Sequence, residues 1–303
     1  MLNRLPPAFL LSISAFVWGG NFVVARWAHL DIPPLSLTFW RWVLAAVLLT
    51  PFVGAQIWRH RAVVRENAWL LFVLALTGMV MFHSFTYIAL HTTTAINATF
   101  VLASMPMVIP LVSLAMGDER LNARQALGIG ISVLGVAAIV SRGRVDVLLN
   151  LSFTPGDLWV LAAVLAWSVY SVLIRRKPDD LPPMVLLGTT NWMAIVILAP
   201  FYAWELGEKG GFAITASTVL VIGYVAVFAS IVAFVCWNAG VARLGANKAG
   251  LFIHLIPLFA TLMSMAFLGE SLKSYHLIGI VPILLGIYLT TTAKVKTIQV
   301  KDT

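Results

Sequence analysis

Trp18, Asn21, Phe22 and Ala25 stand at spacings of three and four residues, and so do Trp167, Tyr170, Ser171 and Ile174. On a helix each set shares one face. Buried indole and phenol groups need hydrogen-bond partners, and a face mixing rings with amide and hydroxyl groups suits a pocket for a solute with an apolar side chain and polar ends. The competing reading is anchoring, because tryptophan is enriched where membrane meets water. Trp27, Trp42, Trp58, Trp69, Trp159 and Trp204 lie at the ends of apolar blocks and take that reading, whereas Trp18 and Trp167 lie deeper.

Phe82, His83 and Tyr87 form a second cluster, with His83 and Tyr87 one helical turn apart, and Phe234, Trp237 and Asn238 form a similar one later in the chain. A strongly polar side chain deep in an apolar block is costly, turns to the protein interior and marks a functional candidate. His83 is expected in a substrate cavity, with proton carriage or a structural hydrogen bond as the other roles open to it. Ser104, which shares a face with Asn97, and His254, in the same block as Lys248, are further cavity candidates, although serine also serves simply to join membrane helices. Lys248, one turn into its helix, is expected to snorkel to the interface. Arg41 is either a gate element or a lipid-headgroup anchor. Pro106 and Pro257 each remove a backbone donor within an apolar block, as bending points or as static kinks.

No HExxH, GxSxG, CxxC or phosphate-binding glycine loop occurs, the six histidines are scattered, and Cys236 is the only cysteine. An enzyme would need a nucleophile with its base or a metal cluster, so no enzyme activity, cofactor or metal is expected. A channel would need a charged ring or a filter-like glycine sequence. All twelve acidic residues fall in connectors or at helix ends. An exporter of organic cations is built most simply on a carboxylate within the membrane, so this distribution favours a neutral or zwitterionic solute.

The elements that must position these residues are membrane helices. The 303 residues are 60% hydrophobic and 11% charged, whereas soluble domains are about 45–50% apolar and about 25% charged. The apolar blocks have the length a helix needs to cross about 30 Å of hydrocarbon. Spans are predicted near 7–28, 34–54, 68–90, 94–116, 122–141, 157–175, 183–204, 215–241, 246–268 and 274–293. Arg4 ahead of the first block has the look of a secretory signal, but the block runs to Ala28 and further spans follow, so a retained helix is expected. The net charge of +8 is spread over short connectors, which carries topology rather than a nucleic-acid site. A cytoplasmic N-terminus puts every basic residue on the inside except Arg26, Arg41, Arg142, Arg144, Lys209 and Lys273. Both termini are therefore expected in the cytoplasm, with an even number of spans.

Self-comparison adds a repeat. Trp18, Pro33, Pro34, Pro51 and Phe52 recur 149 residues later as Trp167, Pro182, Pro183, Pro200 and Phe201. Ala95, Ala98, Pro106, Glu119, Leu121, Gly128 and Gly135 recur 151 residues later as Ala246, Ala249, Pro257, Glu270, Leu272, Gly279 and Gly286. Each half holds five spans, so the second enters the membrane from the opposite side. The expected organisation is an all-α membrane protein of ten transmembrane helices in two inverted five-helix repeats. Their expected bounds are 1–145 and 156–295, with a connector at 146–155 and a tail at 296–303. Such inverted halves can exchange roles around a site near the bilayer midplane.

The segments Ala15–Asn21 (AFVWGGN) and Phe39–Trp42 (FWRW), the paired runs Ala95–Glu119 and Ala246–Glu270, and the glycines after each run resemble the drug/metabolite transporter superfamily, in particular its ten-helix EamA-type members. The resemblance covers nearly the whole chain, and within the family the chain is most similar to bacterial amino-acid exporters. It implies a bacterial inner-membrane protein that exports aromatic and other neutral amino acids, with the small solute and the lipid bilayer as partners. The oligomeric state is left open, a monomer being compatible with the pattern. A proton-coupled exporter of aromatic cations is the alternative, with a nucleotide-sugar or other metabolite carrier behind it.

Overall fold

The computed structural model describes residues 4–28, 31–90, 92–93, 98, 101–118, 121–150, 154–268 and 274–292, and among them every regular element is helical. The helices are α1 (Pro7–Ala28), α2 (Pro34–Arg59), α3 (Ala68–Ala89), α4 (Met105–Ala115), α5 (Ala123–Val140), α6 (Pro155–Leu173), α7 (Pro183–Lys209), α8 (Ala216–Leu244), α9 (Ala246–Leu268) and α10 (Ser274–Thr291). Short helical turns at Arg61–Glu66 and Val145–Leu149 lie in connectors. Among the described residues six stretches are long and apolar enough to cross a membrane: Pro34–Arg59, Ala68–Ala89, Ala123–Val140, Pro155–Arg176, Pro183–Lys209 and Ala216–Leu244. Apolar side chains such as Leu127, Leu134, Val196 and Val281 stand exposed on the outside, as expected of a chain whose solvent is lipid.

Proline starts α2, α6 and α7, where its missing N–H costs nothing. Pro51 and Pro200 lie inside α2 and α7. Those helices run to Arg59 and Lys209 rather than stopping near 54 and 204, because neighbouring helices support a kinked membrane helix past its proline. A buried carboxylate holds the α2 N-terminus in place: Glu205 of α7 accepts from the Leu35 and Ser36 amides at 3.2 and 2.6 Å and from the Ser36 hydroxyl at 2.9 Å. Asp157 caps α6 by accepting from the Thr154 amide at 2.7 Å.

Four departures from regular helix were not legible in the sequence. α3 and α8 each contain a π-helical segment, Ala75–Met81 and Val225–Val232. α9 switches to a 3-10 turn at Leu251–His254, and a turn at Ala103–Ser104 precedes α4. The two prolines expected inside helices therefore sit just after breaks, Pro106 as the second residue of α4 and Pro257 as the third of the Leu255–Leu268 segment. The part of the fourth span at 94–97 and 99–100, Asn97 included, lies outside the described residues, as do Glu119 and Glu270.

α5 packs along α10 and α2 along α7, while α1 lies against α8 and α9, and α6 against α3 and α4. The α5–α10 contact is backbone on backbone: a Cβ on Gly128 would stand 2.8 Å from the Gly286 carbonyl oxygen, and one on Gly135 would stand 2.5 Å from that of Gly279. Only glycine permits this approach.

Trp58, Trp69, Trp159 and Trp204 are exposed near helix ends, as anchors should be. Trp42 is not one of them. It is 0% exposed, because α2 turns that face onto α3, where its indole donates to the Met79 carbonyl at 3.1 Å. Arg41 is likewise 0% exposed, which removes the lipid-headgroup role. Lys248 does not snorkel to water alone, since its ammonium donates to the Thr291 carbonyl at 2.9 Å, where the C-terminal end of the α10 dipole favours a cation.

Candidate functional site

Where α1, α3, α6 and α8 meet, five aromatic side chains pack ring against ring. Trp18 meets Trp167 edge-on at 5.1 Å between centroids and Trp237 at 5.4 Å. Phe82 lies 4.7 Å from Trp167, and Phe234 lies 5.6 Å from Trp167 and 5.3 Å from Trp42. The π segments of α3 and α8 each present a carbonyl to this layer. Trp18 donates to Ala229 of the α8 segment at 3.2 Å, and Trp42 donates to Met79 of the α3 segment. Both buried indoles are thereby satisfied.

A cavity opens against this layer between α1, α3, α4, α6 and α9. Trp18 and Asn21 of α1, His83 and Tyr87 of α3, Trp167 of α6, and His254 and Pro257 of α9 all line it. These residues, named from spacing and repeat alone, come from four helices. The rest of the wall is mostly apolar, with Phe82 and Thr86 on α3, Leu90 just after it, and Leu102, Ala103 and Met105 at the break before α4. Its volume is about 60 Å³, below the about 300–1,000 Å³ of sites that enclose a small molecule, so a solute the size of an amino acid enters only as the wall moves. Phe82, Thr86 and Leu90 continue the i, i+4 periodicity beside His83 and Tyr87, and that signal was available in the sequence. Nothing marked Leu102, Ala103 and Met105, whose place follows from a backbone break.

The polar groups of the wall are held differently. His83 donates from Nδ1 to the Met79 carbonyl at 3.1 Å. His254 is engaged at both nitrogens, with Nε2 donating to the Ala103 carbonyl at 2.8 Å and Nδ1 lying 2.6 Å from the Ser132 hydroxyl. Since the Ala103 carbonyl can only accept, Nε2 carries a proton, and in the neutral ring Nδ1 accepts from the Ser132 hydroxyl. The Tyr87 hydroxyl accepts from Arg41 Nη1 at 3.0 Å. Asn21 Oδ1 is buried and has no partner. Among the described residues no carboxylate lines the cavity, and those that are buried, Glu205 and Asp157, serve helix ends.

The other sequence candidates stand off the cavity wall. Ser104 donates to the Val101 carbonyl at 2.6 Å, consistent with a turn role. Tyr170 lies 5.2 Å from Trp167 between ring centroids, and its hydroxyl donates to Asn238 Oδ1 at 2.8 Å. Trp237 belongs to the aromatic layer, with its indole N–H buried and unpaired, and the Ser171 hydroxyl is buried and unpaired as well. Pro106 is buried beside the α4 break. The side chains of Phe22 and Ala25 lie outside those described.

A helical bundle with a lipid-facing apolar surface and a cavity among its helices is a multi-pass membrane protein. The model of the EamA-like transporter family matches residues 5–141 and again 154–292; the chain belongs to this family, within the drug/metabolite transporters. It is 26% identical to "Uncharacterized transporter YyaM" of Bacillus subtilis over 92% of this chain and 90% of that protein. It is 24% identical to "Probable amino-acid metabolite efflux pump" of Salmonella typhimurium over 93% of each. A crystal structure 22% identical in sequence superposes with a TM-score of 0.74, covering 94% of this chain and 96% of the other, and so shares the fold.

Proposed function

We propose that the protein exports aromatic and other neutral amino acids from the bacterial cell by alternating access, through the cavity between α1, α3, α4, α6 and α9. The observation that carries this reading is the cavity wall itself: tryptophan and phenylalanine faces with an amide, a phenol and imidazoles, and no acidic group among the described lining residues. Such a wall accommodates an apolar side chain and a polar zwitterionic head. The name of the Salmonella typhimurium relative agrees with it.

The alternating-access part rests on two inverted five-helix halves. Two matches to the same family model support it, as does the glycine contact, in which Gly128 meets Gly286 and Gly135 meets Gly279. At the offset of 151 these are each other's counterparts, crossed as a two-fold axis in the membrane plane requires. The π segments of α3 and α8 overlap at the same offset, ending at Met81 and Val232. We assign both termini to the cytoplasm and the protein to the inner membrane. Arg144, in a connector that this places outside, is paired with Asp146 at 2.5 Å, which lessens its weight against that orientation.

In this orientation the cavity lies toward the outer ends of α1 and α3, and the opposite end is closed by the aromatic layer and the Tyr170–Asn238 bond. The repeat relates Tyr170 to Asn21 and Asn238 to Tyr87. Tyr170 and Asn238 are bonded, while their counterparts stand apart, with Asn21 Oδ1 unpaired. Exchange of these two pairs gives the inward-open state.

The test is uptake of labelled phenylalanine, threonine and methionine into proteoliposomes, with and without a pH gradient, beside Trp167→Ala. Gradient-independent uptake that the variant loses is expected. Counterflow of aromatic cations with no amino-acid uptake would overturn the substrate class.

A further inference from the structure

Arg41 is the least expected side chain of the interior. It sits on α2 with no exposed surface, and a guanidinium keeps its proton in any protein setting. A buried charge is normally paired, yet its partners here are all neutral. Nε donates to the Ser230 hydroxyl at 2.8 Å, Nη1 donates to the Tyr87 hydroxyl at 3.0 Å, and the group lies 5.0 Å from the Trp42 ring centroid. Nη2 is buried without a partner. The fold does not require this cation, since the position 149 residues later is Thr190, whose hydroxyl donates to the Leu186 carbonyl.

One partner of Arg41 lines the cavity. By occupying the oxygen of Tyr87, the guanidinium leaves the phenol its own O–H to donate, and a donor polarised by a cation in a low-dielectric site favours an anionic acceptor. Across the cavity, on α1, the buried Asn21 Oδ1 is an acceptor without a donor. We infer that the Tyr87 hydroxyl, held and polarised by Arg41, is the carboxylate-binding group of the cavity, and that Asn21 Oδ1 takes the ammonium of an α-amino acid. This rests on the cavity being the substrate site. Arg41 is the positioning residue and Tyr87 the group that touches the solute.

The experiment uses the full chain in lipid nanodiscs and reads tryptophan fluorescence, to which Trp18 and Trp167 of the wall contribute. It is titrated with 3-phenylpropanoate, phenylalanine, phenylalaninamide and phenethylamine, which share one ring and differ in charge. The two carboxylates are expected to bind about tenfold or more tightly than the two ligands that lack one. In Tyr87→Phe, which removes one hydroxyl and keeps the ring, this ratio falls to within about threefold. Arg41→Gln does the same where it folds; where it does not, Tyr87→Phe decides. A merely structural tie between α2, α3 and α8 would alter affinity for all four ligands alike and leave the ratio standing. Equal binding of phenethylamine by the wild type, absence of binding by either carboxylate, or a ratio preserved in Tyr87→Phe would each overturn the assignment. Labelled phenylalanine counterflow separates the two readings: its failure alongside a persisting carboxylate preference sinks amino-acid export and leaves the site.

Discussion

His254 and His83 face the same cavity and are held in different ways. Both nitrogens of His254 are engaged, bridging α9 to Ser132 of α5 and to the Ala103 carbonyl exposed by the break before α4. It acts as a bolt between three helices. His254→Ala removes the bridge and leaves a hole, so a loss of about 2 kcal/mol is expected, against about 0.5–1 kcal/mol for Ser132→Ala. Thermal unfolding in detergent measures both, and equal effects would count against the bridge. His83 has a protein partner assigned only at Nδ1. His83→Asn is therefore expected to change solute affinity in the uptake assay more than melting temperature.

Among the elements, α2 is set by its neighbours more than by its own sequence. It starts under the Glu205 carboxylate of α7, at the positive end of its dipole. Glu205→Gln keeps the size and loses the charge, and should cost about 1–2 kcal/mol, read as a lower melting temperature. The α5–α10 pair makes a sharper comparison. Gly135 has no room for a side chain beside α10, whereas nothing lies within 4 Å of a Cβ on Gly130 of the same helix. Gly135→Leu should destabilise by about 1–3 kcal/mol, and Gly130→Ala should not. If both variants melted alike, the contact would not be a tight one. The π segments belong to this scale too, for they supply the carbonyls that let Trp18 and Trp42 enter the interior.

At the scale of the whole molecule, the proposed alternating access makes the side that is open depend on which of the two pairs, Tyr170 with Asn238 or Asn21 with Tyr87, is bonded. Tyr170→Phe deletes the bond to Asn238 and should shift the population away from the state seen here. In a Cys236→Ser background, which removes the only cysteine, Leu90→Cys at the cavity wall reports the shift. An impermeant thiol reagent added from the outer face should label it several-fold more slowly once Tyr170→Phe is introduced, about 1 kcal/mol of population shift. An unchanged rate would mean that the aromatic layer alone holds the closed end.

The apolar helices and the aromatic and polar part of the cavity wall were readable in the sequence, because their signals are apolar length and helical spacing. A block's apolar length tells whether it can cross a bilayer, and the paired Trp18 and Trp167 or Pro106 and Pro257 are visible by counting. What spacing could not reveal is which apolar face meets protein and which meets lipid, since both are hydrophobic and the contrast that orients helices in water is lost. Trp42 therefore read as an anchor and proved to be buried, and Arg41, left open between a gate element and a lipid-headgroup anchor, proved to be a cation of the interior. The π segments, the break before α4 and the Tyr170–Asn238 bond arise from contacts between helices far apart in the chain. Only the tertiary structure decided them, because each depends on which groups of distant helices come within hydrogen-bond distance of one another.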